Sequence, residues 1–592
     1  MKINLNILAA GLLMATAATF TSCDDFLTRD PQDTIADTSS FWNSEENLRT
    51  SFLDYYTHFF PGYRSGWSRA DNFAETNVAD WNDDNAQEAA TFFTKVVPTS
   101  ETTNWNFNTV RDINLIISRI EGSTLGDEAK NHWLGVGRFM RAMEYATLVS
   151  KFGDVPYYDA PVSSTDYDQL YRARDPRTTV MDKVKEDLDF ACAHIRTSDG
   201  TAGLTINRAV AQAFASRIML FEGTWQKYRE HNTEQATKYL KAAQSYAAAV
   251  IDAGNYSLAA SYKKLTTSED LAGNPEMIMY RSYVEAVITH SLMSFQNTEM
   301  EKSSPSRSFV DTFLGSNGLP INQQEGNSLY KADKTSSTFA EETADRDPRL
   351  ADNIDEESGL RINGVAAVYA ASGYYANRYV NPDLIDSEGG KSSTNITDAP
   401  VMKLNEVLMN YIEASAELAD LGAFTLTQAD FDLTINKIRD RESTHMPHVT
   451  LSGSNLTVNG VTINDPARDA DVSPILWEIR RERRVELAYE GLRFNDLRRW
   501  GKLNYADMKK NVKLNMGAWI DKSQYPDANL SGITLCDKNG NTVSGTKGYI
   551  KPINDESLMR TVADKDYLYP IPQDQITMYE NHGYTLKQNP GW

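Results

Sequence analysis

Cysteine is scarce in this chain of 592 residues, with Cys23, Cys192 and Cys536 the full set of three. None of them forms a C-x-x-C pair, so there is no disulfide framework, thiolate zinc site or thioredoxin-like redox motif to argue from. The eight histidines are scattered and no H-E-x-x-H helix occurs, which removes the zinc metalloprotease pattern. Positive charge is in deficit: 59 Lys and Arg stand against 81 Asp and Glu, for a net charge of −22. Such an excess repels nucleic acid phosphates and anionic head groups. It also argues against a polyanionic ligand unless positive charge is concentrated locally. Low-complexity tracts are missing as well, and with 41 % hydrophobic residues the chain has material for a large core and no disordered half.

The one long apolar run lies at the start. After Lys2, residues Ile7 to Phe20 lead through the small pair Thr21 and Ser22 to Cys23, and two aspartates follow. A basic start, a short apolar stretch and small residues at the cut describe a secretory leader over residues 1–22, too short and wrongly flanked to serve as a spanning helix. A thiol placed immediately after the small pair takes up a diacylglyceryl group, and the arrangement resembles the bacterial lipobox. Each buried methylene contributes ~0.8 kcal/mol, so several acyl chains on Cys23 anchor the mature chain, residues 23–592, stably to a membrane.

Helical periodicity comes in neighbouring pairs. Val136, Phe139, Met140, Met143 and Ala146 mark one helical face that stops near Gly153 and Pro156, and Val180, Val184, Leu188 and Ala191 mark its partner. A second pair is expected from about Asn207 to Tyr228 and from about Thr233 to Ala253, with Gly254 as its stop. A third runs through Leu404, Val407, Leu408, Tyr411, Ser415 and Leu418 to Gly422, with a companion from Thr427 to Arg441. Pairs of this size suggest tetratricopeptide-like units on a divergent helical scaffold over about 40–257 and 399–505, without a regular repeat signature. Between about 258 and 398 the periodicity fades into Gly, Ser, Asn, Asp and Tyr, which reads as a loop-rich insertion; residues 506–592 read as an irregular C-terminal segment.

Catalytic and metal motifs are thin. Asp80, Asn82 and Asp84 match the opening of a calcium loop, but Asn85 and Thr91 stand where the turn glycine and the bidentate glutamate belong, so calcium is an open possibility and no cofactor is expected. A glycoside hydrolase needs two carboxylates ~5–9.5 Å apart, and the acidic residues here are too many to single out a pair. The aromatic residues are more telling. Tyr63, Trp67 and Trp81 sit among Arg64, Asp71, Asn72, Asn77, Asp80, Asn82 and Asp83 in a stretch without a helical stripe. Flat rings bordered by short polar side chains suit the apolar face and hydroxyl rim of a sugar.

At Ser473-Pro474 a capped helix begins and reads from Ile475 to Leu503, with seven arginines between Arg480 and Arg499 interleaved with Glu478, Glu482, Glu486 and Glu490. The expected role is structural, with guanidinium groups forking onto carboxylates of adjoining turns. This E-x-R-R-E-R-x-x-E-L-A-x-E-G-x-R-x-x-D-L-x-R-W segment resembles the signature of the SusD/RagB family of Bacteroidetes outer-membrane lipoproteins. The resemblance extends to Cys23-Asp24-Asp25-Phe26-Leu27, to Trp105 through Asn114, and to Phe152-Gly153-Asp154-Val155-Pro156. It continues through Gly318-Leu319-Pro320-Ile321, Asp345-Arg346-Asp347-Pro348-Arg349, Tyr569-Pro570-Ile571-Pro572 and the closing Gln588-Asn589-Pro590-Gly591-Trp592.

What the resemblance implies is a mostly α, SusD-like fold with tetratricopeptide-like pairs, held by lipid on the outside of the outer membrane. It implies a non-enzymatic protein that captures glycan oligomers as a lid on a SusC-like TonB-dependent transporter. In that family early loops carry binding aromatics, and the later insertion contributes others, here Tyr283, Tyr330 or Tyr374. The alternative is a helical adaptor that binds only proteins.

Overall fold

The computed structural model describes residues 40–67, 81–88, 96–100, 104–298, 303–331, 338–357 and 359–592. The leader, Cys23 and Asp80 lie outside the described residues.

Among the described residues the first α-helix is α1 (Glu45–Phe59), whose cap Ser44 accepts a hydrogen bond from the Asn47 N–H. There follow α2 (Asn108–Glu121), α3 (Asp127–Phe152), α4 (Arg177–His194), α5 (Arg208–Tyr228) and α6 (Thr233–Asp252). Asn207 and Asn232 cap α5 and α6 by accepting from the Val210 and Gln235 N–H groups, which is why both helices start where they do. Gly254 ends α6 at φ 64, a conformation only glycine adopts without cost. Later come α7 (Leu292–Thr298), α8 (Leu404–Asp420), α9 (Pro474–Glu486), α10 (Arg493–Arg499) and α11 (Gln573–Asn581). Among the described residues, no helix between α6 and α8 exceeds seven residues.

The paired helices pack as neighbours, as the sequence reading expects. At Gly223 of α5 an added Cβ would lie 2.9 Å from the Leu240 backbone nitrogen of α6, so these two backbones touch. Gln244 of α6 donates to Ser415 of α8 at 2.8 Å, carrying the scaffold on to the second half of the chain. One large core, from Leu48 and Phe52 through Phe139, Phe214 and Leu240 to Leu418, joins α1–α6 with α8. The motifs that carry the resemblance are part of this frame. Arg141 bridges Asp187 at 2.7 Å and Asn114 at 2.9 Å, tying α2, α3 and α4 together, and Asn589 donates to the Phe152 carbonyl at 3.0 Å.

Strands are short and staple distant segments. β1 (Asn85–Gln87) pairs antiparallel with β3 (Ser303–Pro305), and β2 (Met277–Arg281) with β4 (Ala399–Lys403). A three-stranded hairpin sheet holds β5 (Thr450–Ser452), β6 (Asn455–Val458) and β7 (Val461–Thr462). A four-stranded sheet in the order β10-β9-β11-β8 is made of β8 (Trp519–Asp521), β9 (Leu535–Cys536), β10 (Thr542–Val543) and β11 (Lys547–Ile550). Cys192 and Cys536 are free thiols. Among the described residues, no helix is long and apolar enough to cross a membrane.

Two helices differ from the reading of the sequence. The companion of α8 divides into Gln428–Leu433 and Ile435–Arg439 at Thr434, whose hydroxyl donates back to the Asp430 carbonyl at 2.6 Å. The arginine-rich segment is not one helix from Ile475 to Leu503: it breaks between α9 and α10, where Tyr489 takes φ 63. Tertiary bonds hold that break. The Tyr489 hydroxyl donates to Asn85 at 3.0 Å, and its carbonyl accepts from the Tyr379 hydroxyl at 2.9 Å.

Ion pairing along this segment is mostly long-range. Arg481–Glu478 and Arg499–Asp496 are pairs three residues apart, but Glu482 and Glu486 meet Arg349 at 2.7 and 2.9 Å, and Glu486 also meets Arg441 at 2.7 Å. All of these groups are buried. Burial raises the Glu486 pKa, but the Arg441 and Arg349 guanidiniums outweigh it and hold the carboxyl down to about 2.

Candidate functional site

The loop leaving α1 crosses under the insertion and surfaces at Trp67. Its turn is closed by the Arg64 N–H on the Pro61 carbonyl at 2.9 Å, and the Gly66 N–H donates to the Thr289 carbonyl at 2.8 Å. The Tyr63 ring beneath is fully buried, stacked on Tyr283 at 6.1 Å, tilted against His290 at 4.9 Å and edge-on to Tyr379 at 5.6 Å. His290 is neutral: its Nε2 lies 2.9 Å from the Thr397 carbonyl, its Nδ1 accepts the Leu292 N–H at 3.2 Å, and burial lowers its pKa to about 4.

On this platform Trp67 is 59 % exposed, and its ring meets the edge of Phe295 from α7 at 6.1 Å. Asn297 fixes α7 from the other side by donating to the Ile385 and Gly390 carbonyls at 2.9 Å each. Arg64 and Ser65, just before it in the chain, are exposed, and the turn 284–288 carries exposed Val284 and Val287. A rigid, flat apolar face with a polar border is the chemistry a sugar ring needs.

The other expected residues fall elsewhere, and burial corrects several of them. Tyr63 and Tyr283 do come together, but under the surface, where they carry the Trp67 loop and present no ring face outward. Tyr374 is wholly buried, its hydroxyl donating to Glu342 at 2.6 Å and accepting from Arg307 at 3.0 Å. Trp81 is 7 % exposed and packs on Phe494 of α10 at 5.7 Å, in a core with Trp225 and Trp500. Asn82 is buried beside it, its side chain accepting from the Asp84 N–H at 2.8 Å. Tyr330 is 40 % exposed on a separate turn, where its N–H donates to the Asn327 carbonyl at 3.2 Å.

The segment read as a calcium opening faces guanidinium groups. Asp83 meets Arg493 at 2.7 Å and Asp84 meets Arg484 at 2.9 Å. Burial would raise the Asp83 pKa, but Arg484 and Arg493 outweigh it and hold the carboxyl well below the usual range. No group of three or more His, Cys, Asp or Glu side chains able to hold a metal ion is found among the described residues.

Sequence reasoning missed Phe295, His290 and Tyr379. Phe295 lies on a helix of seven residues, too short to show a periodic face, and the other two join the platform only through contacts far apart in sequence.

A cavity of 370 Å³ borders α3, α5, β4 and α10, with Phe59, Met143, Ile218 and Phe221 in its walls. Its charged floor is already paired, Arg217 with Glu406 at 2.6 Å and Arg483 with Asp496 at 2.9 Å.

The sequence model of the SusD family matches residues 275–592, and a second model, described as starch-binding and associating with the outer membrane, matches residues 26–220. The curated SusD-like protein P25 of Formosa agariphila is 24 % identical over 188 residues, which are 29 % of this chain and 35 % of that protein, so the match spans about a third of that relative's length. A SusD-like carbohydrate-binding protein from Bacteroides fragilis superposes with TM-score 0.62 at 20 % identity, covering 91 % of this chain and 99 % of that one. Surface glycan-binding protein A from Bacteroides fluxus gives TM-score 0.56 at 16 % identity over 93 % and 100 % of the two chains. A laminarin-binding SusD-like protein gives 0.53 at 16 % identity over 93 % and 100 %. At these identities the likeness is one of fold.

Proposed function

Because the chain belongs to the SusD family, we propose that it captures oligosaccharides at the cell surface on the Trp67 ledge and passes them to a SusC-like TonB-dependent transporter. The observation that carries this reading is the Trp67 ring, 59 % exposed on a loop pinned from below. Family membership supports the glycan, as do the names of the fold neighbours that bind laminarin or surface glycans. The description of the matching N-terminal model supports the outer membrane. Attachment runs through lipid on Cys23. Function resides in affinity and in lid movement, with no bond made or broken.

The test is a glycan panel read by tryptophan fluorescence and calorimetry on the intact protein. Trp67→Ala is expected to weaken the best ligand roughly tenfold or more with an unchanged Tm, as for an exposed anchor residue. Unaltered affinity would move the site off the ledge. Co-purification in mild detergent tests the transporter, and Cys23→Ala, expected to release the protein from membranes, tests the anchor.

A further inference from the structure

The connection between α3 and α4 carries an aromatic surface that the Trp67 ledge does not use. Tyr167, at the start of a helical turn (Tyr167–Leu170), is 53 % exposed, and the Tyr171 N–H closes that turn on the Tyr167 carbonyl at 2.9 Å. Residues just after α11 meet it there: the His582 ring stacks on Tyr171 at 4.3 Å, Tyr584 stacks on Tyr171 at 5.6 Å, and Tyr167 tilts against His582 at 5.6 Å.

The rings are fixed in place. The buried Tyr579 ring packs edge-on against Tyr171 at 5.3 Å, the Tyr158 hydroxyl donates to the Gln169 carbonyl at 3.2 Å, and the Asp166 carboxylate caps the turn by accepting the Gln169 N–H at 3.2 Å.

Two carboxylates accompany the rings. The Tyr584 hydroxyl donates to Asp168, and this bond, with the fields of Asp168 and Asp166, raises the Tyr584 pKa, so both carboxylates lie close to that hydroxyl. Asp166 and Asp168 are exposed, and neither has an ion-pair partner among the described residues. Arg172 is spent elsewhere, on Asp175 at 3.1 Å and on the Tyr157 carbonyl at 2.9 Å. Residues 159–171 hold Asp159, Asp166 and Asp168 and no Lys or Arg, and residues 573–587 hold Asp574 and Glu580 against Lys587. The surface is short of positive charge.

Elsewhere in the molecule the same pairing of ring and carboxylate is filled by an arginine. Arg177 lies over Trp225 at 4.3 Å and forks onto Glu222 at 2.8 and 2.7 Å. Arg229 lies over Tyr567 at 3.8 Å and meets Asp564 at 2.7 Å, and Arg378 lies over Tyr262 at 3.7 Å and meets Glu490 at 3.1 Å. A guanidinium is planar, so its face can lie on a ring while its edge N–H groups reach a carboxylate; an ammonium has no such plane, and a neutral sugar brings no charge. Among the described residues no Lys or Arg lies over Tyr167, Tyr171 or Tyr584.

We propose that this surface docks a protein partner through an arginine of that partner, with the guanidinium plane on the exposed Tyr167 ring and its N–H groups toward Asp168 and Asp166. Tyrosine and arginine are enriched among the anchors that carry most of the energy of protein interfaces. The site goes beyond glycan capture on the ledge and does not depend on it.

The test is a ligand-observed NMR titration of the intact protein with the peptide acetyl-Gly-Arg-Gly-amide, with the same peptide carrying lysine or citrulline in place of arginine, with free arginine and with a neutral oligosaccharide panel, repeated on Tyr167→Ala, Tyr167→Phe, Asp168→Asn and Trp67→Ala. The arginine peptide is expected to bind roughly fivefold or more tighter than its citrulline isostere, and tighter than the lysine peptide, because only the guanidinium brings both charge and plane. Tyr167→Ala, and Asp168→Asn, which keeps an acceptor for Tyr584, are each expected to weaken it roughly twofold to fivefold with an unchanged Tm. Tyr167→Phe keeps the ring and the affinity, and Trp67→Ala leaves the peptide bound as before. No binding of the arginine peptide, equal affinity for arginine and citrulline, or indifference to Tyr167→Ala overturns the proposal. Lysine binding as tightly as arginine reduces the surface to a point-charge contact, free arginine binding as tightly as the peptide makes it an amino-acid site, and a neutral oligosaccharide lost on Tyr167→Ala makes it a saccharide site; each of these also overturns it.

Discussion

The Tyr283 hydroxyl donates to the Arg64 carbonyl at 2.8 Å, and through this bond the insertion holds the loop that carries Trp67. Arg64 sits at φ 59, a conformation that costs an L-residue roughly 1–2 kcal/mol and persists only where the surroundings fix it. Tyr283 supplies that fixation twice, by its hydrogen bond and by stacking on Tyr63. The exposed Trp67 ring and its support therefore come from segments more than 200 residues apart.

Tyr283→Phe separates the two contributions. The ring stack survives and the bond to Arg64 is lost, at a cost of ~0.5–1.5 kcal/mol. Glycan affinity is expected to fall several-fold while Tm drops by only a few degrees, measured by calorimetry and thermal melting. Full affinity in this variant would show that stacking alone holds the loop.

His290 makes the platform sensitive to acid. Burial places its folded pKa at about 4, below the ordinary 6.5, so the unfolded chain takes up a proton first as pH falls. The contribution is complete above pH 6.5 and is lost between there and pH 4, by on the order of 3 kcal/mol. Protonation at Nδ1 would also remove the acceptor of the Leu292 N–H. Urea unfolding at pH 7, 5.5 and 4 is expected to lose more stability in the wild type than in His290→Asn, and parallel slopes would contradict the assignment.

Local chemistry was legible in the sequence wherever it decided the outcome. Asn207 marks the start of α5, Gly254 the end of α6 and Ser473-Pro474 the start of α9, because caps act within a few residues. The break after Glu486 was not legible, since Tyr489 is held at positive φ by Asn85 and Tyr379. The same distance problem governs the candidate site. Trp67 and Trp81 sit in one polar, aperiodic stretch, yet α10 supplies Phe494 to cover Trp81, while α7 offers Trp67 only the edge of Phe295. Which aromatic residue faces outward is decided by tertiary partners.

Glu486 of the arginine-rich segment is shared between two arginines from distant parts of the chain. It meets Arg349, Arg441 and the Asn405 amide, all buried. Glu486→Gln removes one carboxylate shared by Arg349 and Arg441, which keep Asp347, Glu482 and Glu276 as partners, and is expected to cost about 1–3 kcal/mol. Its folded pKa of about 2 lies below the ordinary 4.5, so its contribution is present above pH 4.5 and lost as pH falls toward 2. Denaturant unfolding at pH 7 checks the first expectation, and a flattened acid limb in the variant checks the second.

Trp81→Ala and Trp67→Ala form a matched pair. Both remove an indole from the same stretch of chain, but Trp81 is buried on Phe494 and Trp67 is open to solvent. Truncating a buried tryptophan costs about 3–5 kcal/mol through lost transfer energy and the cavity left behind, so Trp81→Ala is expected to lower Tm markedly. The protein that remains folded should bind glycan with ordinary affinity, because the ledge is untouched. Trp67→Ala is expected to do the reverse, keeping Tm and losing affinity. Thermal melts and calorimetry on both variants decide the matter: a Trp81→Ala protein with unchanged Tm and abolished binding would place the sugar against Phe494 and α10.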